Sequence, residues 1–270
     1  MSYATILVHV EWEGEPEGRA KLAASLADRF QSELIGINAW MPRPRPILDP
    51  DLANKETDYL TGEARRLTMK FRAATGGNDR NVEFRSFLGY PTACIAREMR
   101  AADLLVVGRD FGVNDPYLYP DAGAVVLAAG RPVLVVPPGL SSMEGKRVTV
   151  AWKDTRESRR ALRDALPFLR EAEQIVVTEI CERESEVGDS QRRLRDVAQY
   201  LSRQGTSCVA DRVRPAEGTA TETLLRFVSE ESSDLIVAGA YGHSRFGEWV
   251  FGGMTQELLA RSPVCCLLSH

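Results

Sequence analysis

Two stretches of the chain share one pattern: Asp, four apolar residues, then Gly. They are AADLLVVGRD at 101–110 and SSDLIVAGAY at 232–241. Each leads through a helical stretch to a Pro and an apolar run, RPVLVVPP in one half and SPVCCLL in the other. The starts also match, ATILVHVEW at 4–12 with RVTVAWKD at 147–154. The repeat unit is about half the chain, which predicts a duplicated domain and not a solenoid of short repeats.

The second half alternates strand and helix patterns cleanly. Residues 147–152 are an apolar, β-branched run and predict a strand. TRESRRALRDALPFLRE sets Leu162, Ala165, Leu166 and Leu169 on one helical face, with Thr155 as N-cap. QIVVTEI predicts a strand, SQRRLRDVAQYLSRQG a helix ended by Gly205, and SCVADRV a strand. GTATETLLRFVSEE, DLIVAG and PVCCLL add a helix and two strands. Apolar strands alternating with helices predict parallel sheets covered on both faces. The fold class is therefore α/β, two tandem sandwiches, each a five-stranded parallel sheet. VVPPGLSSMEGKR marks the linker between domains at 1–139 and 146–270. MPRPRPILDP (41–50) predicts a stiff loop after the second strand, with partner docking as the other reading.

At 270 residues the chain has room for two such domains. A net charge of -4 and a pI near 5.6 count against a nucleic-acid partner. No apolar run has the ~20 residues of a membrane helix, and no signal peptide is evident. The expectation is a soluble cytoplasmic protein with no membrane partner. Cys94, Cys181, Cys208, Cys265 and Cys266 form no CxxC pair, and with three histidines a metal site is not expected. The cysteines read as buried, reduced small hydrophobes.

GAYGHSRFGEWVFGGMT (239–255) puts five glycines in seventeen residues. Ligands of open parallel sheets sit beyond the carboxyl ends of the strands, and Gly239 ends a strand. Gly242 permits a turn, and Gly252 and Gly253 open the last helix. Free N–H groups at a helix start, with no side chain in the way, suit an anion, usually phosphate. Thr255 adds a hydroxyl. His243 and Arg245 face either phosphate or solvent. His9 reads as a core histidine within a strand, and the terminal His270 is expected to be loose.

The spacing Gly239, two residues, Gly242, nine residues, Gly252 resembles that of the universal stress proteins. Their nucleotide-binding members carry Gly-x-x-Gly, nine residues, then Gly-Ser or Gly-Thr. Here Gly253 follows, and Thr255 falls where many members have a second Ser. The order of elements and the Pro-led last strand match in both halves, so the chain looks like a tandem two-domain member. The resemblance implies a Rossmann-like fold with helices on both sheet faces and halves paired through their last strands. It implies a pseudo-dimer within the chain, open to further homodimerisation. It also implies a stress-response role through protein partners and a site for ATP, with Mg²⁺ when bound, or for a related nucleotide or small anion. The nucleotide-binding candidates are Ala151, Gly239, Gly242, His243, Gly252, Gly253, Met254 and Thr255.

The halves differ at the positions the resemblance makes important. Family members carry an acid after the first strand. Glu11 keeps it in the first half, and Lys153 replaces it in the second. The first half lacks the glycine spacing and places Asp115 and Asp121 where phosphate would be repelled. Nucleotide is therefore expected once per chain. Lys153 is expected to pair with Glu179 across adjacent strands. No Gly-x-Ser-x-Gly elbow or Ser/His/Asp order is present, so no catalytic residue is assigned and at most a weak ATPase is expected. The second reading is a non-nucleotide interaction or scaffold protein with a vestigial site.

Overall fold

The computed structural model describes residues 2–12, 16–43, 50–76, 82–109, 115–206, 209–242 and 253–270, with the side chains of 50–53 left aside. The chain divides into two units, residues 3–129 with 138–142, and residues 1–2 and 130–137 with 143–270.

The first unit contains β1 (Thr5–His9), α1 (Pro16–Phe30), β2 (Glu33–Trp40), α2 (Pro50–Ala74) and β3 (Glu83–Leu88). It continues with α3 (Pro91–Glu98), β4 (Leu104–Gly108) and α4 (Ala122–Ala128). Its strands lie parallel in the order β3-β2-β1-β4. The chain reverses direction across the sheet after β3. Right-handed crossovers therefore put α1 and α2 on one face and α3 and α4 on the other. β1, β4 and most of β2 are buried, as their unbroken apolar runs require.

The second unit contains β5 (Val133–Val136), β6 (Arg147–Ala151), α5 (Arg156–Asp164), α6 (Leu166–Leu169), β7 (Gln174–Cys181) and α7 (Val187–Arg203). β8 (Val209–Pro215), α8 (Ala220–Glu230), β9 (Leu235–Gly239), α9 (Gly253–Arg261) and β10 (Cys265–Ser269) complete it. The five strands of the second half run parallel in the order β10-β9-β6-β7-β8. β5, which closes the first half in sequence, pairs antiparallel with β10, Leu134 opposite Leu267.

The repeated Asp has a structural role in both units. Asp103, just before β4, accepts the N–H groups of Ala4 and Thr5 at 2.9 and 3.1 Å. Asp234, just before β9, accepts those of Lys146 and Arg147 at 3.2 and 3.1 Å. Each carboxylate thus fixes the start of one central strand against its neighbour. Thr155 caps α5 through Ser158 N–H, and Thr219 and Glu222 form a reciprocal capping box on α8. The helix expected over 155–171 is two helices meeting at Ala165, with Pro167 opening the second. Proline has no N–H to continue the first ladder. Cys94, Cys181, Cys265 and Cys266 are free and buried, and Cys208 lies outside the described residues.

Candidate functional site

In both units the carboxyl edge between the two central strands is where a parallel sheet offers space to a ligand. The two edges are built differently.

In the first unit the space is taken by the chain itself. Arg19, from the first turns of α1, holds both oxygens of Glu11 at 2.6 Å and donates to the His9 carbonyl at 3.1 Å. The paired side chains are 5% and 7% exposed. A Cβ on Gly108, the last residue of β4, would lie 2.4 Å from Arg19 Nη2, so any side chain there would have to displace the guanidinium. Burial, then the charge of Arg19, pushes the His9 pKa down to about 3, and the imidazole stays neutral. Beside this pair the Trp12 and Trp40 rings meet edge to face, with centroids 5.5 Å apart. Asp121 caps α4, and Asp115 accepts the Tyr117 N–H and pairs with Arg43. Both acids shape the local backbone.

In the second unit the arginines of the first turn of α5 are exposed: Arg156 pairs with Glu157 and Arg159 with Asp154. A Cβ on Gly239 would fall 2.4 Å from Ser158 N and 2.6 Å from the Glu157 carbonyl carbon. The first turn of α5 thus crosses directly over the end of β9. Ala151, half-buried, ends β6 level with Thr178 and Ala238. Gly242 faces the same turn: a Cβ there would sit 3.0 Å from Glu157 Oε2 and 3.2 Å from Thr155 Oγ1. Glu157 is buried and pairs with Arg156. Burial pushes its pKa up. The Arg156 hydrogen bond, its own backbone N–H, the Arg156 charge and the Thr155 hydroxyl together outweigh this and hold it below the usual value. The carboxylate is therefore ionised and neutralised by Arg156.

Gly253 is the first residue of α9, exposed, with nothing within 4 Å of where a Cβ would lie. Met254 is half-buried and Thr255 is buried. The Thr255 hydroxyl accepts the Tyr241 N–H at 3.3 Å, closing the loop end onto the helix. Tyr241 has φ of 58°, a left-handed conformation that L residues with a Cβ rarely adopt. Ala151, Gly239, Gly242, Gly253, Met254 and Thr255 are thus described, whereas His243 and Gly252, with Arg245, lie outside the described residues.

Two expectations need correction. Glu179 does not pair with Lys153. Arg193 holds it at 2.8 Å and the Ser190 hydroxyl donates to it at 2.8 Å. The register explains why: Ala151 pairs with Thr178, so Trp152 stands beside Glu179 and the alternation of a strand turns Lys153 away. Second, His270 is packed, its Nδ1 3.1 Å from the Ala240 carbonyl and its ring edge-on to Tyr241. The acid that the first half retains, Glu11, is committed to Arg19. Sequence reading missed Arg19 and Glu157. The available signal was their place in the first turns of helices that begin at the sheet edge.

Among the described residues no group of three or more His, Cys, Asp or Glu could hold a metal ion. No described helix is long and apolar enough to cross a membrane. The model of the Universal stress protein family matches residues 145–270. A universal stress protein from Archaeoglobus fulgidus is similar in fold, with a TM-score of 0.72, 15% identity, and 98% of this chain and 95% of that one covered. A functionally unknown protein from Pseudomonas aeruginosa is similar at a TM-score of 0.60 and 17% identity, over 99% and 92% of the two chains. No curated protein matches.

Proposed function

The chain belongs, through residues 145–270, to the universal stress protein family, and from that premise we propose that its second unit binds ATP or a related nucleotide or anion. The bound state is then passed to protein partners in a stress response. The observation that carries this reading is the contrast between the two edges. The first is filled by the buried Arg19–Glu11 pair. The second keeps Gly239 and Gly242 past the end of β9, where the Tyr241 N–H joins the first turn of α9 through Thr255.

The fit is uneven in an informative way. Gly253 presents backbone that an anion can approach, and the α9 N-terminus favours negative charge there. At Gly242 the ionised Glu157 shares the space, and Arg156 offsets its charge. A metal ion would be held chiefly by the ligand's own phosphates, with the Glu157 carboxylate 3.0 Å from where a Cβ on Gly242 would lie. A ligand that binds only the folded chain raises its stability, by ~2.7 kcal/mol at a hundredfold excess over Kd. ATP should therefore raise the melting temperature of the full chain. Gly242→Val, which fills the space against Glu157, should remove that rise.

One set of contacts favours the second reading, a scaffold with a vestigial site. Gly239 is accounted for by packing against Ser158, and the Thr255 hydroxyl already accepts from Tyr241. A melting temperature indifferent to ATP and to other nucleotides would select that reading.

A further inference from the structure

Among the described residues, three acids around β6 and the end of β7 are each committed to an arginine. Asp154, after β6, takes Arg159 at 2.7 Å. Glu157, in the first turn of α5, takes Arg156. Glu179, near the end of β7, takes Arg193 at 2.8 Å and the Ser190 hydroxyl. Lys153, the residue before Asp154, is exposed and has no ion-pair partner among the described residues. Among the described residues, Lys153 is therefore an uncommitted positive charge at the end of β6.

The backbone that carries this charge is fixed. The Lys153 N–H donates to Ser158 Oγ at 3.3 Å, and its carbonyl accepts the Thr155 N–H at 2.7 Å. Two residues on, the Thr155 hydroxyl lies 3.2 Å from the position of a Cβ on Gly242. The flexible lysine stem thus starts at the same mouth as the glycine loop. Strand β6 stands between β9 and β7, at the point where the strand order reverses. At such a point a carboxylate reads the ribose hydroxyls of a nucleotide, whereas a cation accommodates a phosphate on the ribose. A lysine does this as a compact point charge, with no requirement for a planar partner.

We propose that Lys153 makes this edge selective for nucleotides with a second phosphate on the ribose, the nucleoside 3′,5′-bisphosphate class. Nucleotides whose phosphates all lie in one 5′ chain bind less well. The inference rests on reading the Gly239–Gly242 edge as a phosphate site. ATP and adenosine 3′,5′-bisphosphate carry nearly the same total charge near neutral pH, so comparing them isolates where the charge is placed.

The test is isothermal titration of the full chain with both compounds at fixed ionic strength, in the wild type, Lys153→Met and Lys153→Asp. The wild type is expected to bind the bisphosphate about tenfold more tightly than ATP, the scale of one charge-assisted contact. Lys153→Met should bring the ratio close to one, and Lys153→Asp should reverse it. Because the side chain is exposed, neither variant should change the melting temperature of the unliganded protein. A wild type that binds ATP at least as tightly as the bisphosphate overturns the inference and leaves the phosphate site standing. So does a ratio that neither variant moves. If neither compound binds the wild type, both readings fall together.

Discussion

Replacing Arg19 with Met removes the group that fills the first unit's edge. Arg19 gives two bonds of 2.6 Å to Glu11 and one of 3.1 Å to the His9 carbonyl. With side chains 5% and 7% exposed, solvent screens little of this interaction. Arg19→Met leaves the Glu11 carboxylate buried and unpaired, a loss of roughly 3–5 kcal/mol. An exposed pair would give about 0–1 kcal/mol. Removing both charges together, in Glu11→Leu/Arg19→Met, should cost far less than the sum of the single changes, because no charge is then stranded. A double-mutant cycle by urea unfolding should therefore return a coupling of at least about 2 kcal/mol. Single variants that each lose under about 1 kcal/mol, with no coupling, would refute the reasoning.

Other outcomes follow from the same geometry. The folded pKa of His9 is about 3 and its ordinary value is 6.5, so between these values the unfolded chain binds the proton and the folded chain does not. This contribution to stability is full above pH 6.5 and falls as the pH drops toward 3, by up to about 1.4 kcal/mol per unit. His9→Gln should flatten the acid limb of a melting-temperature profile, and an unchanged limb would count against a buried neutral His9. Gly239→Ala drives a methyl group into the α5 backbone and should cost about 1–3 kcal/mol in chemical denaturation, while Gly253→Ala should not destabilise the protein. Asp234→Ala frees the N–H groups of Lys146 and Arg147 and should cost about 1–3 kcal/mol; wild-type stability there would remove the clamp from the account.

The architecture was legible because its signals are local and repeated. The Asp that opens each DLLVVG or DLIVAG run marks a strand start, and in both units it clamps the first N–H groups of the neighbouring central strand. Thr155 and Gly205 announced a helix start and a helix end, and Gly205 has the left-handed φ of 82° that such an end requires. The details of the edges were less legible because they depend on contacts between elements. Nothing in EWEGEPEGRA says that Arg19 folds back onto Glu11, eight residues earlier; that needs the crossing of α1 over Gly108. The expected Lys153–Glu179 pair was off by one position in register, which in a strand reverses the face. The glycines were recognised, but Gly239 has a packing reason as strong as any ligand.

The central claim is that one nucleotide binds per chain, at the second unit. Calorimetric titration of the full chain with ATP and Mg²⁺, in the wild type, Gly242→Val and Glu11→Leu/Arg19→Met, tests it most directly. The account predicts one ATP per chain in the wild type, none in Gly242→Val, and an unchanged site in the first-unit double variant. Two ATP molecules per chain, or binding that survives Gly242→Val, would contradict it.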